Sequence, residues 1–318
     1  MSSAIRPHRI VRMAGRDPSE AGRGVTPLEL LFDLAFVVAF AQAGNQVAHL
    51  LAMGHLGAAV GGFVFAATAI CWAWINFSWF ASGFDTDDWI FRVFTMIQMA
   101  GAIVVALGVA PLFESIDQGE PFDNTVLVGG YVVMRIAMVA QWLRAAVQAP
   151  SYRRTALTYA ASILVAQVGW VVLAVIQTRS SMVVVSFAAV LYGIEMIGPV
   201  IVQRRWGMPW HAEHIAERYG LLLIITLGEV ILGTVAAMRA QGIDAIRFNT
   251  VIKRDNLDHV VELVRVAQEL GVAVNFSVYT DFKNGNRDHL MQNGAVDQAA
   301  AVIAELLAIK RRRRGVIT

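Results

Sequence analysis

The first long apolar run of the chain, residues 26–50, reads TPLELLFDLAFVVAFAQAGNQVAHL. A helix needs about 20 mostly apolar residues to cross the hydrocarbon core of a bilayer, and this run is long enough. Thr26 and Pro27 fit the N-cap and the first turn of such a helix. Glu29 and Asp33 are four residues apart, which puts both carboxylates on one helix face. The run therefore predicts a membrane helix that begins with two acidic side chains.

Six further apolar runs of similar length follow the first one. The shorter gaps between them carry charges, glycine or proline. Such a series predicts an all-α polytopic membrane helical bundle with about seven transmembrane helices. The predicted spans are 28–50, 56–80, 89–112, 124–147, 156–177, 181–203 and 219–238.

The composition of the chain agrees with a membrane protein. Hydrophobic residues make up 57% of it and charged residues 16%, against about 45–50% and 25% in soluble domains. The net charge of +2 gives no reason to expect nucleic acid as a partner. The single cysteine, Cys71, excludes a disulfide framework and a cysteine-ligated cluster held by this chain alone. The expected partners are the lipid bilayer and a small ion or solute, with no cofactor and no metal.

The charge density changes sharply near residue 238. About 12% of residues 1–238 are charged, against about 26% of residues 239–318, and all eight tryptophans precede the change. The sequence therefore divides into a basic cytoplasmic tail (1–24), a transmembrane domain (25–238) and a soluble C-terminal segment (239–318).

The C-terminal segment predicts a small α/β fragment of βαβα order. Residues 245–252 and 272–280 are rich in β-branched residues, as strands are. A helix is predicted between them at 257–270, with Gly271 at its C-terminal cap. A second helix is predicted at 295–309.

The positive charges predict how the bundle is oriented. Twelve arginines fall in the segments that share the side of the N-terminus, and only Arg179 falls in the loops of the other side. Basic residues concentrate on the cytoplasmic side of membrane proteins. The N-terminus is therefore expected in the cytoplasm.

Ionisable side chains at membrane depth are candidate functional residues, because burying a charge there is costly. Glu29 and Asp33 could instead simply complement the positive end of their helix at the interface. This is the expected role of Glu29, whereas both roles stay open for Asp33, one turn deeper. Arg135, Glu195 and Glu229 are expected to be the most deeply buried, each with a partner inside the bundle. A pair of Arg135 with a glutamate would be structural or would line a polar path for an ion or proton.

Three acids follow the second span, namely Asp85, Asp87 and Asp88. Carboxylates clustered in this way bind a cation, or they cap a helix and receive arginines from nearby loops. Capping and ion pairing is the expected arrangement.

Two histidines precede the seventh span. His211 and His214 share a helix face, and His214 also shares a face with Glu217 and Arg218. A metal site would need a third ligand from elsewhere, such as Asp85 or Asp87. An interfacial helix start with ion pairs is the expected alternative.

Three motifs in this order resemble the bacterial low temperature requirement protein A family over residues about 23–238. The matching pieces are Val25–Phe36, then Trp74–Phe80 with Phe84–Asp88, then His214–Gly220 with Leu227–Glu229. The resemblance implies a multi-pass protein of the bacterial inner membrane, but the family name describes a growth phenotype and implies no reaction. The predicted role is transport or sensing through buried acids. The candidate polar-path or family-motif residues are Glu29, Asp33, Asn76, Asp85, Asp87, Asp88, Arg135, Glu195, His214, Glu217, Arg218 and Glu229.

The C-terminal segment resembles part of a radical S-adenosylmethionine enzyme barrel, in residues 248–256 and 275–280. Those enzymes hold an iron–sulfur cluster with three cysteines, and this segment has none. The alternative to a transport or sensing protein is thus an enzyme fragment fused to a membrane anchor and inactive for lack of cluster ligands. The chain is not expected to be an enzyme, and a join of two truncated genes is the interpretation that the composition favours.

Overall fold

The computed structural model describes residues 10–20, 22–176, 178, 180–240, 242, 246–279 and 294–312. The chain divides into two compact units, Met1–Gly233 and Thr234–Thr318. The α-helices described up to residue 240 are α1 (Pro27–Ala52), α2 (Leu56–Phe84), α3 (Trp89–Leu107), α4 (Val109–Gln118), α5 (Thr125–Gln148), α6 (Arg153–Ile176), α7 (Ser181–Arg205) and α8 (Ala212–Ala240).

The helical membrane bundle predicted from the sequence is confirmed. Six stretches within the described residues are long and apolar enough to cross a membrane, and they coincide with the first six predicted spans. The seventh predicted span lies inside α8 and is helical, but it is not among these six. The six are Pro27–Ala52, Leu56–Phe84, Trp89–Gln118, Thr125–Gln148, Pro150–Ile176 and Met182–Arg205.

Helices α3 and α5 approach each other closely at two glycines, Gly101 and Gly130. A Cβ atom built on Gly130 would lie 2.6 Å from the Val105 nitrogen and 2.7 Å from the Gly101 carbonyl oxygen. A methyl group does not fit there without moving a backbone. Small residues at a helix crossing allow this kind of backbone contact inside membranes, where dispersion forces drive helix association.

The segment predicted as a basic tail is bound to one end of the bundle over residues 11–23. The Met13 side chain is fully buried in the main hydrophobic core. The Val11 N–H donates to Asp88 at 3.0 Å, and the Arg16 N–H donates to the Gly83 carbonyl at 2.9 Å. This segment therefore covers the end of the bundle where α2 ends and α3 begins.

The second unit has the βαβα order expected from the sequence. Strand β1 (Arg247–Ile252) pairs in parallel with β2 (Ala273–Val278), in a register that places Arg247 opposite Ala273. Helix α9 (Val260–Glu269) connects them, preceded by a 3-10 turn, and Gly271 follows it at φ 61° as the C-terminal cap requires. Helix α10 (Gly294–Arg312) ends the described part.

Candidate functional site

The start of α1 positions two acids on one face. Thr26 is the N-cap, and its hydroxyl and backbone N–H both contact the Glu29 carboxylate, at 3.1 and 2.9 Å. Pro27 occupies the first turn, as predicted. Glu29 and Asp33 then follow one turn apart. Both side chains are fully buried, and the expected complement of the helix N-terminus by Glu29 is present as a capping box with Thr26.

Helix α8 supplies the partners of these two acids. Arg218 Nη2 donates to Asp33 Oδ1, and Arg218 Nη1 lies 3.7 Å from Glu29 Oε1. His214, one turn before Arg218, places its Nε2 3.2 Å from Glu29 Oε2. His214 and Arg218 are also fully buried. We call Glu29, Asp33, His214 and Arg218 the buried ionic cluster.

Aromatic side chains surround the buried ionic cluster. The Trp74 indole N–H donates to Asp33 at 2.6 Å. The Arg218 guanidinium carbon lies 5.3 Å from the centre of the Trp74 ring and 5.5 Å from that of Phe77, within the range of cation–π contacts. These rings exclude water and strengthen the electrostatic interactions inside.

A second histidine connects the cluster with the N-terminal segment. The His214 N–H donates to His211 Nδ1 at 3.2 Å, and His211 Nε2 lies 2.9 Å from the Glu20 carbonyl oxygen. The His211 N–H donates to the Ser82 hydroxyl at 2.9 Å. Polar atoms therefore run from residue 20 to the interior of the bundle. The ion pairs expected at this helix start are those of His214 and Arg218.

Several polar atoms of the cluster have no hydrogen-bond partner among the described residues. They are Glu29 Oε1, Asp33 Oδ2, His214 Nδ1, and Arg218 Nε and Nη1. Buried polar atoms in proteins are nearly always satisfied, and exceptions are frequent at functional sites. The cluster can thus accept and donate further hydrogen bonds.

A second buried ion pair joins α5 to α7. Arg135 Nη2 lies 2.9 Å from Glu195 Oε2, and their side chains are 3% and 1% exposed. The Trp72 indole N–H donates to the same carboxylate. The Arg135 guanidinium also lies 4.9 Å from the centre of the Tyr131 ring. The predicted pairing of Arg135 with a buried glutamate is confirmed.

Two of the three acids after α2, Asp87 and Asp88, act as ion-pair partners, and Asp88 is also a cap. Asp88 is the N-cap of α3, where it accepts from the Phe91 N–H at 2.9 Å, and it pairs with Arg144. Asp87, at φ 47°, pairs with Arg92 at 2.7 Å. This is the arrangement expected from the sequence.

Asp85 differs from its two neighbours. It is only 7% exposed, and its Oδ1 accepts from the Asp87 N–H at 2.8 Å. Burial raises the pKa of Asp85 to about 6, and the negative charge of Glu29 adds to the rise. No group of three or more His, Cys, Asp and Glu side chains in the described part of the chain could hold a metal ion.

Apart from the three acids after α2, three further candidates lie outside the two buried ion-paired sites. Asn76 is buried and donates to the Trp72 carbonyl at 2.8 Å. Glu217 and Glu229 are exposed on α8, so the expectation that Glu229 is deeply buried is wrong. The physical reason is that α8 directs side chains into the bundle near His214 and Arg218, whereas side chains beyond residue 222 are mostly exposed. Position along the chain does not reveal which helix face is covered.

Sequence reasoning missed the roles of several partners of these residues. From the sequence, Trp74 stands out only as part of a motif, Trp72 does not stand out, and His211 is only one of two histidines of a possible metal site. The roles of the two tryptophans could have been inferred from their chemistry, because an indole N–H at membrane depth needs a hydrogen-bond acceptor. Arg144 as the partner of Asp88 carries no local signal, since 56 positions separate the two residues.

The fold and the buried ionic pairs define a polytopic helical membrane protein. The profile of the bacterial low temperature requirement A protein (LtrA) family matches residues 24–298. The chain therefore belongs to this family. The match runs past the composition change near residue 238 into the second unit, whereas the resemblance of that unit to a radical S-adenosylmethionine enzyme stays a prediction.

One curated relative is an uncharacterized protein of Rhizobium meliloti (strain 1021). It is 26% identical over 213 residues, which cover 64% of this chain and 49% of the relative. The chain thus spans about half the length of the relative that it matches. No solved structure matches the chain significantly.

Proposed function

We propose that this protein carries protons across the bacterial inner membrane through its buried ionic cluster, with its N-terminus in the cytoplasm. The observation that carries the proposal is the 3.2 Å contact between His214 Nε2 and Glu29 Oε2, two titratable groups that are both fully buried. Proton relays inside membranes are commonly built from chains of acidic and histidine side chains.

The charge balance of the cluster supports a bound proton. Glu29 and Asp33 carry two negative charges, Arg218 carries one positive charge, and His214 is charged only when protonated. At the edge of the cluster, Arg23 and Asp85 interact electrostatically with Glu29 and have opposite charges. The group is therefore one proton short of neutrality when His214 is neutral. Because an uncompensated charge in a buried site is costly, binding of one proton is favoured there.

The contacts along α2 support continuation of the path beyond the cluster. Trp74 contacts Asp33 and Trp72 contacts Glu195, so two residues of one helix, two positions apart, contact the two ionic sites. Glu195 Oε1 has no hydrogen-bond partner among the described residues. Asp33 Oδ2 is likewise without a partner among the described residues, so each of the two sites offers a free carboxylate oxygen to a transferred proton.

The orientation rests on the arginine distribution. The arginines near residues 12–23 and those at the ends of α5 and α7 fall on one side of the six spans. The positive-inside rule places that side in the cytoplasm. The His211–Glu20 contact would then provide the cytoplasmic entrance to the cluster.

Proton flux into proteoliposomes tests the proposal. The full chain is reconstituted with a pH-sensitive dye inside, and potassium with valinomycin imposes a membrane potential. The variant Glu29→Gln is compared with Asp87→Asn, which makes the same carboxylate-to-amide change at an exposed ion pair. We expect the wild type and Asp87→Asn to carry protons. We expect Glu29→Gln to give no more flux than protein-free vesicles.

Either of two results would contradict proton transport. One is a wild-type flux equal to that of protein-free vesicles, as a purely sensing protein would give. The other is an undiminished flux in Glu29→Gln at equal protein content. Thermal unfolding of each variant in detergent controls for loss of the fold.

A further inference from the structure

A cleft opens in the first unit near the end of the bundle that binds the N-terminal segment. Its volume is about 460 Å³, within the range of about 300–1,000 Å³ that is usual for small-molecule sites. Helices α2, α6, α7 and α8 contribute its walls. The lining residues are Trp72, Ile75, Asn76, Trp79, Tyr159, Pro199, Val200, Gln203, Arg204 and Tyr219.

Most of the lining is apolar, and its amide and charged side chains are Asn76 of α2 and Gln203 and Arg204 of α7. Trp72, Ile75 and Val200 offer hydrocarbon and ring surface, whereas Gln203 and Arg204 lie in the last turn of α7. Among these lining residues one is a cation and none is a carboxylate. A molecule that fills the cleft therefore matches it best if it has an apolar chain and an anionic head.

Further positive charge surrounds the end of the cleft that carries Arg204. The first turn of α6 adjoins the end of α7, because the Thr155 hydroxyl donates to the Gly207 carbonyl at 3.0 Å. Exposed arginines stand at both helix ends, and none of them forms an ion pair with a carboxylate of the described residues. They are Arg153, Arg154, Arg204 and Arg205.

We propose that this cleft binds an anionic phospholipid of the surrounding bilayer, with the phosphate on Arg204 and one acyl chain along Trp72, Ile75 and Val200. Guanidinium groups suit phosphate because their fork of N–H donors matches its oxygens. Basic pockets between transmembrane helices bind the headgroups of anionic lipids. Trp79 and Tyr219 are of the type that lies at the level of the headgroups.

The lipid site goes beyond proton transport and does not depend on it. The test uses the purified full chain in detergent, titrated with phosphatidylglycerol and with phosphatidylcholine of the same acyl chains, with bound lipid counted by native mass spectrometry. Arg204→Gln removes the cation of the cleft, and Arg205→Gln is the matched control outside the lining. Val200→Trp fills the apolar part of the cleft. Oleate tests whether a free carboxylate amphiphile binds in the same way.

We expect phosphatidylglycerol to bind the wild type more tightly than phosphatidylcholine does. Loss of one arginine near a headgroup weakens binding by about fivefold, so Arg204→Gln should show this loss and Arg205→Gln a smaller one. Val200→Trp should lose binding while its melting temperature stays near that of the wild type.

Equal affinities for the two lipids, or equal losses in the two arginine variants, would overturn the proposal. Oleate binding as tight as that of phosphatidylglycerol would overturn the assignment to a phospholipid, and unchanged lipid binding by Val200→Trp would place the lipid elsewhere.

Discussion

His214 Nε2 lies 3.2 Å from Glu29 Oε2, and 185 positions of sequence separate these two fully buried residues. The contact joins the first turn of α1 to the beginning of α8. One turn further along each helix, Arg218 joins Asp33 in the same way. Two helices that are distant in the chain are thus held together by charges that water does not reach.

Removing Arg218 should destabilise the protein strongly. Arg218→Gln leaves Glu29 and Asp33 buried without a compensating charge, and breaking a buried pair costs about 3–5 kcal/mol. Arg92→Gln breaks the exposed pair with Asp87 and should cost less than about 1 kcal/mol. The free energy of unfolding in detergent micelles, measured by denaturation with SDS, compares the two variants. Equal losses would show that the cluster is not buried as described.

The pair of Arg135 and Glu195 should prove replaceable for stability but not for transport. Each single variant, Arg135→Met or Glu195→Leu, leaves one charge unpaired and should cost about 3–5 kcal/mol of unfolding free energy. The double variant removes both charges and should be near the wild type in stability. Its proton flux in proteoliposomes should nevertheless fall to that of protein-free vesicles. A double variant with normal flux would make the pair purely structural.

The stability of the protein should fall as the pH rises from about 4 to above 6, partly because of Asp85. Burial chiefly raises its pKa from the ordinary value of 3.8 to about 6, so the fold favours the protonated form. Below pH 4 the group is protonated in both states, and above pH 6 the fold bears the full cost of ionisation. Asp85→Asn should therefore raise the melting temperature at pH 8 and leave it unchanged at pH 4. A change of the same size at both pH values would contradict this assignment.

Two adjacent glycines of α5 should differ sharply in their tolerance of alanine. A Cβ on Gly130 would lie 2.6 Å from the Val105 nitrogen, whereas one on Gly129 meets no atom within 4 Å. Gly130→Ala should cost about 1–3 kcal/mol through overpacking. Gly129→Ala should be neutral or stabilising, because alanine has the higher helix propensity. Similar melting temperatures for the two variants would contradict the close crossing of α3 and α5.

Much of the fold could be predicted from the sequence because the signals are local. Apolar runs of membrane length gave the six spans, and the caps at Thr26 and Gly271 are chemical features of a few neighbouring residues. Glu29 and Asp33 share a face because of their spacing alone. Three short motifs in the bundle also made the family recognisable from the sequence.

The partners inside the site could not be predicted, because they are set by tertiary packing. Arg218 meets Asp33 only when α8 lies beside α1, and no local pattern encodes that neighbour. The exposure of Glu229 could not be predicted for the same reason. Glu229 stands eleven residues after Arg218, close to the same face of α8, yet it is exposed. A helix face is buried only where another helix covers it.

The most direct measurement is the number of protons that the purified chain takes up between pH 8 and pH 5, counted with a pH indicator in detergent. The charge balance predicts that the wild type takes up about one proton more per chain than Glu29→Gln, whose buried cluster is already neutral without a bound proton. Asp33→Asn should show the same deficit. Equal uptake by the wild type and both variants would contradict a proton held in the buried ionic cluster.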